Sequence, residues 1–506
     1  MLKNIWASCF SNLVSGYNLC VINIVVEIMS DVYGKDKITD NVKGILSASS
    51  LIGCVIGQLL FGFIGDRLGR KAGFVLCGVL TILGTVGCSL SFDIGPVDKI
   101  YFVILWRIFL GLGIGGIYVI SAVMSTESAS KKNKKMVGAI VFLICEIGWL
   151  IAPFFSWMFL IAFPQPEAKE WIWRVLLAIG VLPCIGMLCV QSTETNITTQ
   201  QKKNKEQKVC TILSNKKNLL RLIGTGGTWL IYDINCFGQQ LFASTVIDYI
   251  FHADYTVILS AQSLSLFNLV AVLGAIAAIF VIDHIGLRYT QIQGFIVRGI
   301  LFLIMAIFIH SIKETPAFLI TLYCLTFFFS NLGPGSTTYL LPAAAFPMEI
   351  RATMNGFSAA LGKVGAAIGT YGFKALASVP NGEQIVMYIS GCLALIAAIC
   401  TYCFVDRSVD EEIFEKHKQL KKKNSPSSDI YKNEISSNTV SISISDESKD
   451  ESKDESKDES KDELKDELKD ELKDELKDEL KDELKDELNK ENNPIEKRNN
   501  INDSIK

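Results

Sequence analysis

Histidine is scarce, with four residues in a chain of 506. His252, His284 and His310 lie at the ends of apolar runs and His417 in a polar tail, so none is placed for a proton relay at mid-membrane depth. Chemistry-bearing motifs are missing too: no nucleotide-binding loop, metal cluster or nucleophile–base pair stands in any cytosolic loop long enough to form a domain. These absences argue against an enzyme, and no cofactor or nucleic-acid partner is expected. The fourteen cysteines sit mostly singly inside apolar runs, as Cys54, Cys77, Cys145 and Cys236 do. They read as small hydrophobes, with no disulfide framework. One CxxC spacing, Cys400 to Cys403, falls inside the last apolar run. The formal net charge of -3 says little, because a charged tail dominates it.

Half the residues are hydrophobic, and apolar runs of ~20 residues recur along the chain, about the length that crosses a hydrocarbon core. The fold class expected is therefore an all-α membrane protein. Twelve spans are expected, at approximately 5–29, 43–64, 72–91, 100–124, 136–163, 172–191, 219–250, 257–282, 290–310, 316–341, 354–378 and 385–405. A polar linker rich in Lys, Asn and Gln separates spans 6 and 7. The chain then divides into an N-terminal six-helix bundle (1–191), a linker (192–218), a C-terminal six-helix bundle (219–405) and a tail (406–506), a six-plus-six organisation. Lys and Arg concentrate in loops after even-numbered spans and in the central linker, which puts both termini on the cytosolic side.

The tail repeats a four-residue unit from about Asp446 to Leu488, first Ser-Lys-Asp-Glu and then Leu-Lys-Asp-Glu. A period of 4 does not match a turn of 3.6 residues, so its leucines drift around any helix and form no seam. Disorder or a fluctuating charged helix is expected, with no transport role.

Within span 7, Asp233 is the residue that most needs explaining. A carboxylate at that depth costs several kcal/mol unless it is paired, protonated or facing water, so it marks a candidate functional site. Trp229 lies one turn before it, and Phe237 continues the same face. Asp233 is open to a second reading, as a structural carboxylate paired across the bundle.

Two loops share a pattern. Gly62-Phe63-Ile64-Gly65-Asp66-Arg67-Leu68-Gly69-Arg70-Lys71 follows span 2, and Val281-Ile282-Asp283-His284-Ile285-Gly286-Leu287-Arg288 follows span 8, with the same Asp-x-x-Gly spacing. The pattern resembles the signature loop of the major facilitator superfamily. That resemblance covers all twelve spans and implies two six-helix bundles around a central cavity that opens alternately to either side. It makes Asp66, Arg67, Arg70, Asp283 and Arg288 conformational residues and not substrate ligands. Arg107 in span 4 reads as an ion-pair partner or a gating residue. Glu127, Glu349 and Arg351, at the ends of spans 4 and 10 and just beyond, read as gate or cap residues.

A closer resemblance runs through spans 4, 7, 10 and 11. Gly115-Gly116-Ile117-Tyr118-Val119-Ile120-Ser121, Trp229-x-x-x-Asp233, Phe329-Ser330-Asn331-Leu332-Gly333-Pro334 and Ser358-Ala359-Ala360-Leu361-Gly362-Lys363-Val364-Gly365-Ala366 are similar to segments of the proton-coupled inorganic phosphate symporters. Carried over position by position, the resemblance implies a phosphate site built from Tyr118, Trp229, Asp233 and Asn331, with Lys363 nearby. Phenol, indole, amide and ammonium donors suit an oxyanion, and a carboxylate can carry the coupled proton.

The departures matter as much. The family's Asp before the span 4 tyrosine is Ile117 here, its proline is Val119, and its span 7 tyrosine is Phe237. Its two acidic span 1 positions align with Ser15 and Asn18. Its span 5 glutamine aligns with Cys145, beside an unexpected Glu146. Proton coupling then falls to Asp233 and Glu146, although Glu146 also reads as a structural partner of Lys363 or Arg107. The expected activity is secondary active transport of a small anion, phosphate first, with protons, in a lipid bilayer and as a monomer. Another solute on the same fold, or a receptor working through its tails, are the alternatives.

Overall fold

A computed structural model describes residues 2–410 apart from 69, 129–133, 193–214, 252–255, 313–314, 347–349 and 378. Nearly all the linker expected at 192–218, almost the whole tail, Glu349, His252 and His417 thus lie outside the described residues. Among the described residues the structure is helical, with no strand beyond an isolated bridge between Ile94 and Val97.

The helices follow the apolar runs closely. Span 1 is Leu2–Cys20 continued by Ile22–Tyr33, span 2 is Asp40–Leu68, span 3 is Arg70–Ser89 and span 4 is Lys99–Ser128. Span 5 is Lys134–Ala162, and span 6 is Ala168–Ile179 continued by Val181–Ser192. Span 7 starts with Lys216–Leu222, passes through a π-turn at Ile223–Gly227 and continues as Thr228–Phe251. Spans 8 and 9 are Val257–Ile285 and Leu287–Ile312. Span 10 runs Pro316–Ser330 and Ser336–Ala345 around a second π-turn at Asn331–Gly335, and spans 11 and 12 are Arg351–Ala377 and Gly382–Phe404. In a bilayer every backbone polar group must be satisfied within the segment, which is why such runs become helices.

Ten of these spans are long and apolar enough to cross a membrane by length and composition. The two that are not, spans 7 and 11, carry Asp233 and Lys363. A helix can give up lipid-like composition only where neighbouring helices shield it. Large apolar side chains elsewhere point outward, among them Leu83, Leu182, Phe280 and Ile399, as expected of surfaces that meet lipid and not water.

Spans 2 and 4 pack closely on each other, and so do spans 7 and 11. The two halves meet along two seams, span 2 against span 11 and span 5 against span 8. The result is two six-helix bundles with a cavity between them, lined by spans 1, 4, 5, 7, 10 and 11.

Candidate functional site

Small residues bring spans 7 and 11 together. A Cβ added at Gly365 would stand 2.1 Å from the Leu230 carbonyl oxygen, and one at Gly362 would stand 2.6 Å from Trp229 Cδ1. Glycine is required at both, because the backbone of one helix and the indole of the other occupy that space. This close approach sets Lys363, between the two glycines, against Asp233. Lys363 Nζ donates to Asp233 Oδ2 at 2.8 Å, and both side chains are buried.

The ammonium also lies 4.5 Å from the centroid of the Phe237 ring and 5.9 Å from that of Tyr118, within reach of cation–π attraction. Phe237, a departure from the family pattern, thus has a use here. It offers the cation a ring face without offering the anion a hydroxyl. The Tyr118 ring meets Trp229 at 6.2 Å between centroids and Tyr339 at 5.2 Å.

All five residues expected to bind substrate, Tyr118, Trp229, Asp233, Asn331 and Lys363, line one cavity of ≈ 50 Å³. Asn331 opens the span 10 π-turn, where Gly333 leaves helical geometry (φ -107, ψ -108) and Pro334 follows. Such π-turns are common at functional sites, because they turn side chains and carbonyls out of register. The Asn331 Oδ1 has no hydrogen-bond partner among the described residues. Nearby, Ser330 Oγ donates to the Tyr232 hydroxyl at 3.3 Å.

Glu146 lines the same cavity from span 5. It is buried and makes no ion pair or hydrogen bond with a described residue. The pairing of Glu146 with Lys363 or Arg107 does not form, because Lys363 is taken by Asp233 across the glycine contact. Arg107 forms no ion pair with a described residue either. Fully buried between spans 2 and 4, it donates from Nε to the Leu46 carbonyl at 3.0 Å and from Nη2 to Ser50 Oγ at 2.8 Å. It ties the two helices of one bundle together, away from the cavity lining. Asp233 is paired as its second reading expected, but the pair lines the cavity and lies within one bundle.

The bundles touch at both ends. At one end Glu27 of span 1 pairs with Lys43 of span 2 at 2.7 Å, and its other oxygen accepts from Ser244 Oγ of span 7 at 3.2 Å. At the opposite end Asp410, just after span 12, accepts from the backbone N–H groups of Leu287 and Arg288 at 2.8 and 3.0 Å and so caps the start of span 9. Lys135 of span 5 reaches over from the other half, 3.6 Å from the Asp410 carboxylate, and donates to the Val409 carbonyl at 3.2 Å. Close by, the Asp406 carboxyl is held below the usual carboxylate range by the Ser408 backbone N–H, with Arg221 and Lys217 adding to the effect.

The expected gating residues fare unevenly. Arg288 is buried beside this cap, donates to the Tyr402 carbonyl at 2.8 Å and stacks near the Tyr402 ring. Arg351 donates to the Phe346 carbonyl at 3.2 Å, and Asp283 is exposed. Asp66, Arg67, Arg70 and Glu127 lie on helices, but their side chains are outside the described residues.

Sequence reasoning missed Glu27 and Arg298, although both are ionisable residues inside spans 1 and 9, the signal that had singled out Asp233. It also passed over Gln240, which lies on the Trp229–Asp233–Phe237 face by helical spacing and lines the cavity.

Comparison with known proteins bears on this arrangement. The family model of the Major Facilitator Superfamily matches residues 8–370. Among curated proteins, "Inorganic phosphate transporter 1-6" of Oryza sativa subsp. japonica is 30% identical over 434 residues, 73% of this chain and 81% of the relative. "Inorganic phosphate transporter 1-1" of Arabidopsis thaliana is 30% identical over 423 residues, 71% and 81% of the two chains. Among solved structures, the xylose transporter XylE from E. coli in a partially occluded inward-open conformation superposes with a TM-score of 0.65 at 16% identity, covering 80% of this chain and 98% of that one. The last likeness concerns the fold alone. The chain is thus a membrane transporter and not an enzyme, a member of the Major Facilitator Superfamily and, within it, of the inorganic phosphate transporters.

Proposed function

We propose that this transporter carries inorganic phosphate together with protons by alternating access. The observation that carries the reading is the buried Asp233–Lys363 pair facing a small cavity with Tyr118, Trp229 and Asn331 around it. Its relatives' names point to the same substrate. The cavity volume corresponds to roughly four waters at 10–15 Å³ of accessible space each. That suits a five-atom oxyanion better than a hexose.

In this reading the ion pair works as a lock. While Asp233 is ionised it occupies the ammonium of Lys363 and repels an incoming anion. A proton on Asp233 removes the repulsion, frees Lys363 for a phosphate oxygen and leaves a carboxyl group able to share a hydrogen bond. Tyr118 and Trp229 supply further donors, and Asn331 its amide. Loss of the proton on the other side restores the ion pair and helps expel the anion. Glu146 supports this role as a second proton carrier, because a buried carboxylate without a cation beside it is costly as an ion.

The two end contacts are then alternating gates. Glu27–Ser244 opens when the cavity faces one side, and Lys135–Asp410 when it faces the other. The lysine-rich loops support a cytosolic position for the Lys135 end and for both termini. Residues 1–191 and 219–405 would rock as two bodies joined by 192–218, in a single chain acting as a monomer.

Uptake of labelled phosphate by proteoliposomes, with the external buffer acidic or matched to the interior, tests the reading. Phosphate should accumulate under the acid gradient, and a protonophore should abolish the accumulation. If phosphate neither accumulates nor competes with another solute for uptake, the reading is overturned.

A further inference from the structure

Span 9 carries a charge that the lock described above does not use. Arg298 is fully buried in Leu287–Ile312 and forms no ion pair with a described residue. Its Nη2 donates to Gln239 Oε1 at 2.6 Å, and its Cζ lies 5.7 Å from the Tyr232 ring centroid and 5.5 Å from that of Phe302. Its Nε and Nη1 have no hydrogen-bond partner among the described residues. Gln239 is held from two further directions. Its Nε2 donates to Thr326 Oγ1 at 2.5 Å, and its backbone carbonyl accepts from the Tyr323 hydroxyl at 3.0 Å. Gln239 and Tyr232 both line the cavity that contains Lys363. Arg298 therefore stands directly behind two side chains of the cavity wall.

A buried guanidinium with free donors and no carboxylate is a costly way to hold one amide. A neutral side chain would do that without desolvating a charge. What only the guanidinium supplies is a permanent positive charge, because arginine does not lose its proton in proteins. Asp233 and Lys363 cancel each other, so while Glu146, which lines the same cavity, carries its proton, Arg298 leaves one net positive charge on this wall. In a medium of low dielectric that charge acts over several ångströms with little screening.

We propose that Arg298 is the fixed counter-charge for the transported anion, a positioning and specificity-determining residue that holds Gln239 in the cavity wall and makes the site favour an anion over a neutral solute. This rests on the anion reading above and deepens it, since Lys363 is a switched charge and Arg298 a constant one.

The test is thermal unfolding of the purified full-length protein with phosphate, sulfate or glucose, potassium chloride being added to equal ionic strength. In the wild type, phosphate raises Tm and glucose does not. Arg298→Met has a ligand-free Tm no lower than that of the wild type, because an uncompensated charge has gone, yet it needs at least about ten-fold more phosphate for the same rise. Arg298→Lys keeps the charge and retains most of the response. The same order holds for phosphate KM in counterflow.

A wild-type response preserved in Arg298→Met overturns the proposal for Arg298 and leaves the phosphate reading standing. So does a ligand-free Tm that falls in both variants, or an Arg298→Lys variant as unresponsive as Arg298→Met, since the residue would then be structural. A wild type that responds to neither anion overturns the anion reading and this inference together.

Discussion

Lys363 Nζ and Asp233 Oδ2 are 2.8 Å apart, though 130 positions separate them in the chain. The contact depends on two glycines flanking Lys363 that let span 11 lie against the backbone of span 7. It sets the only ion pair that lines the cavity, among the described residues, at the point where the two least apolar spans meet.

Removing one member of this pair should cost more than removing both. Asp233→Asn leaves an ammonium buried without a counter-ion, at about 3–5 kcal/mol. Adding Lys363→Gln should recover most of the lost Tm. Proton-driven uptake should be lost in Asp233→Asn while any residual exchange becomes insensitive to the pH gradient. Thermal unfolding and paired uptake and counterflow assays check this, and unchanged uptake in Asp233→Asn would remove the residue from the mechanism.

Glu146 has no pairing among the described residues to lose. Glu146→Gln should therefore leave Tm within about 1 kcal/mol of the wild type in equivalent stability. Its effect should fall on the pH profile. Uptake in the wild type should rise as the external buffer becomes more acidic, and the variant should show a flatter profile with counterflow retained. A profile that keeps its full slope would leave Asp233 as the sole proton carrier.

The end contacts predict opposite shifts in conformation. Ser244→Ala removes one hydrogen bond between the halves, worth about 1 kcal/mol, or roughly a five-fold change in the balance of states. Lys135→Ala weakens the other end. Alkylation of single cysteines introduced on the two sides of the cavity should increase at the Glu27 end in the first variant and at the Lys135 end in the second. An identical labelling pattern in both would show that neither contact is a gate.

Gly365→Ala tests the helix approach itself. The new Cβ would meet the Leu230 carbonyl at 2.1 Å, and neither atom belongs to a flexible side chain, so the helices must separate. Overpacking of this kind costs about 1–3 kcal/mol. Because the separation also pulls Lys363 from Asp233, uptake should fall by much more than folded protein does. Comparing uptake per folded transporter with the yield from size-exclusion chromatography checks this.

The helices were legible because a bilayer leaves the backbone few options. Runs of about twenty apolar residues must become helices, and the twelve spans among the described residues match the expected ranges within a few residues at each end. The repeated Asp-x-x-Gly loops and the span 4, 7, 10 and 11 segments also pointed to the right family. Of the site, the five expected ligands do share one cavity, because they came as a set from a resemblance in which they are neighbours. Their mutual pairing was not legible. Charge alone makes Glu146 a partner for Lys363 or Arg107, and charge does not say which carboxylate a glycine contact will bring close.

Local sequence determined where the chain crosses the membrane, which residues are anomalous within it and which family the pattern belongs to, since each depends on composition and spacing along one helix. Tertiary structure decided the rest. It placed Lys363 on Asp233, left Glu146 without a partner among the described residues, put Arg298 behind Gln239 and joined the halves through Ser244 and Lys135. These are contacts between helices far apart in sequence. They are set by which faces approach closely enough to exclude a side chain, and a run of residues does not record its neighbour's distance.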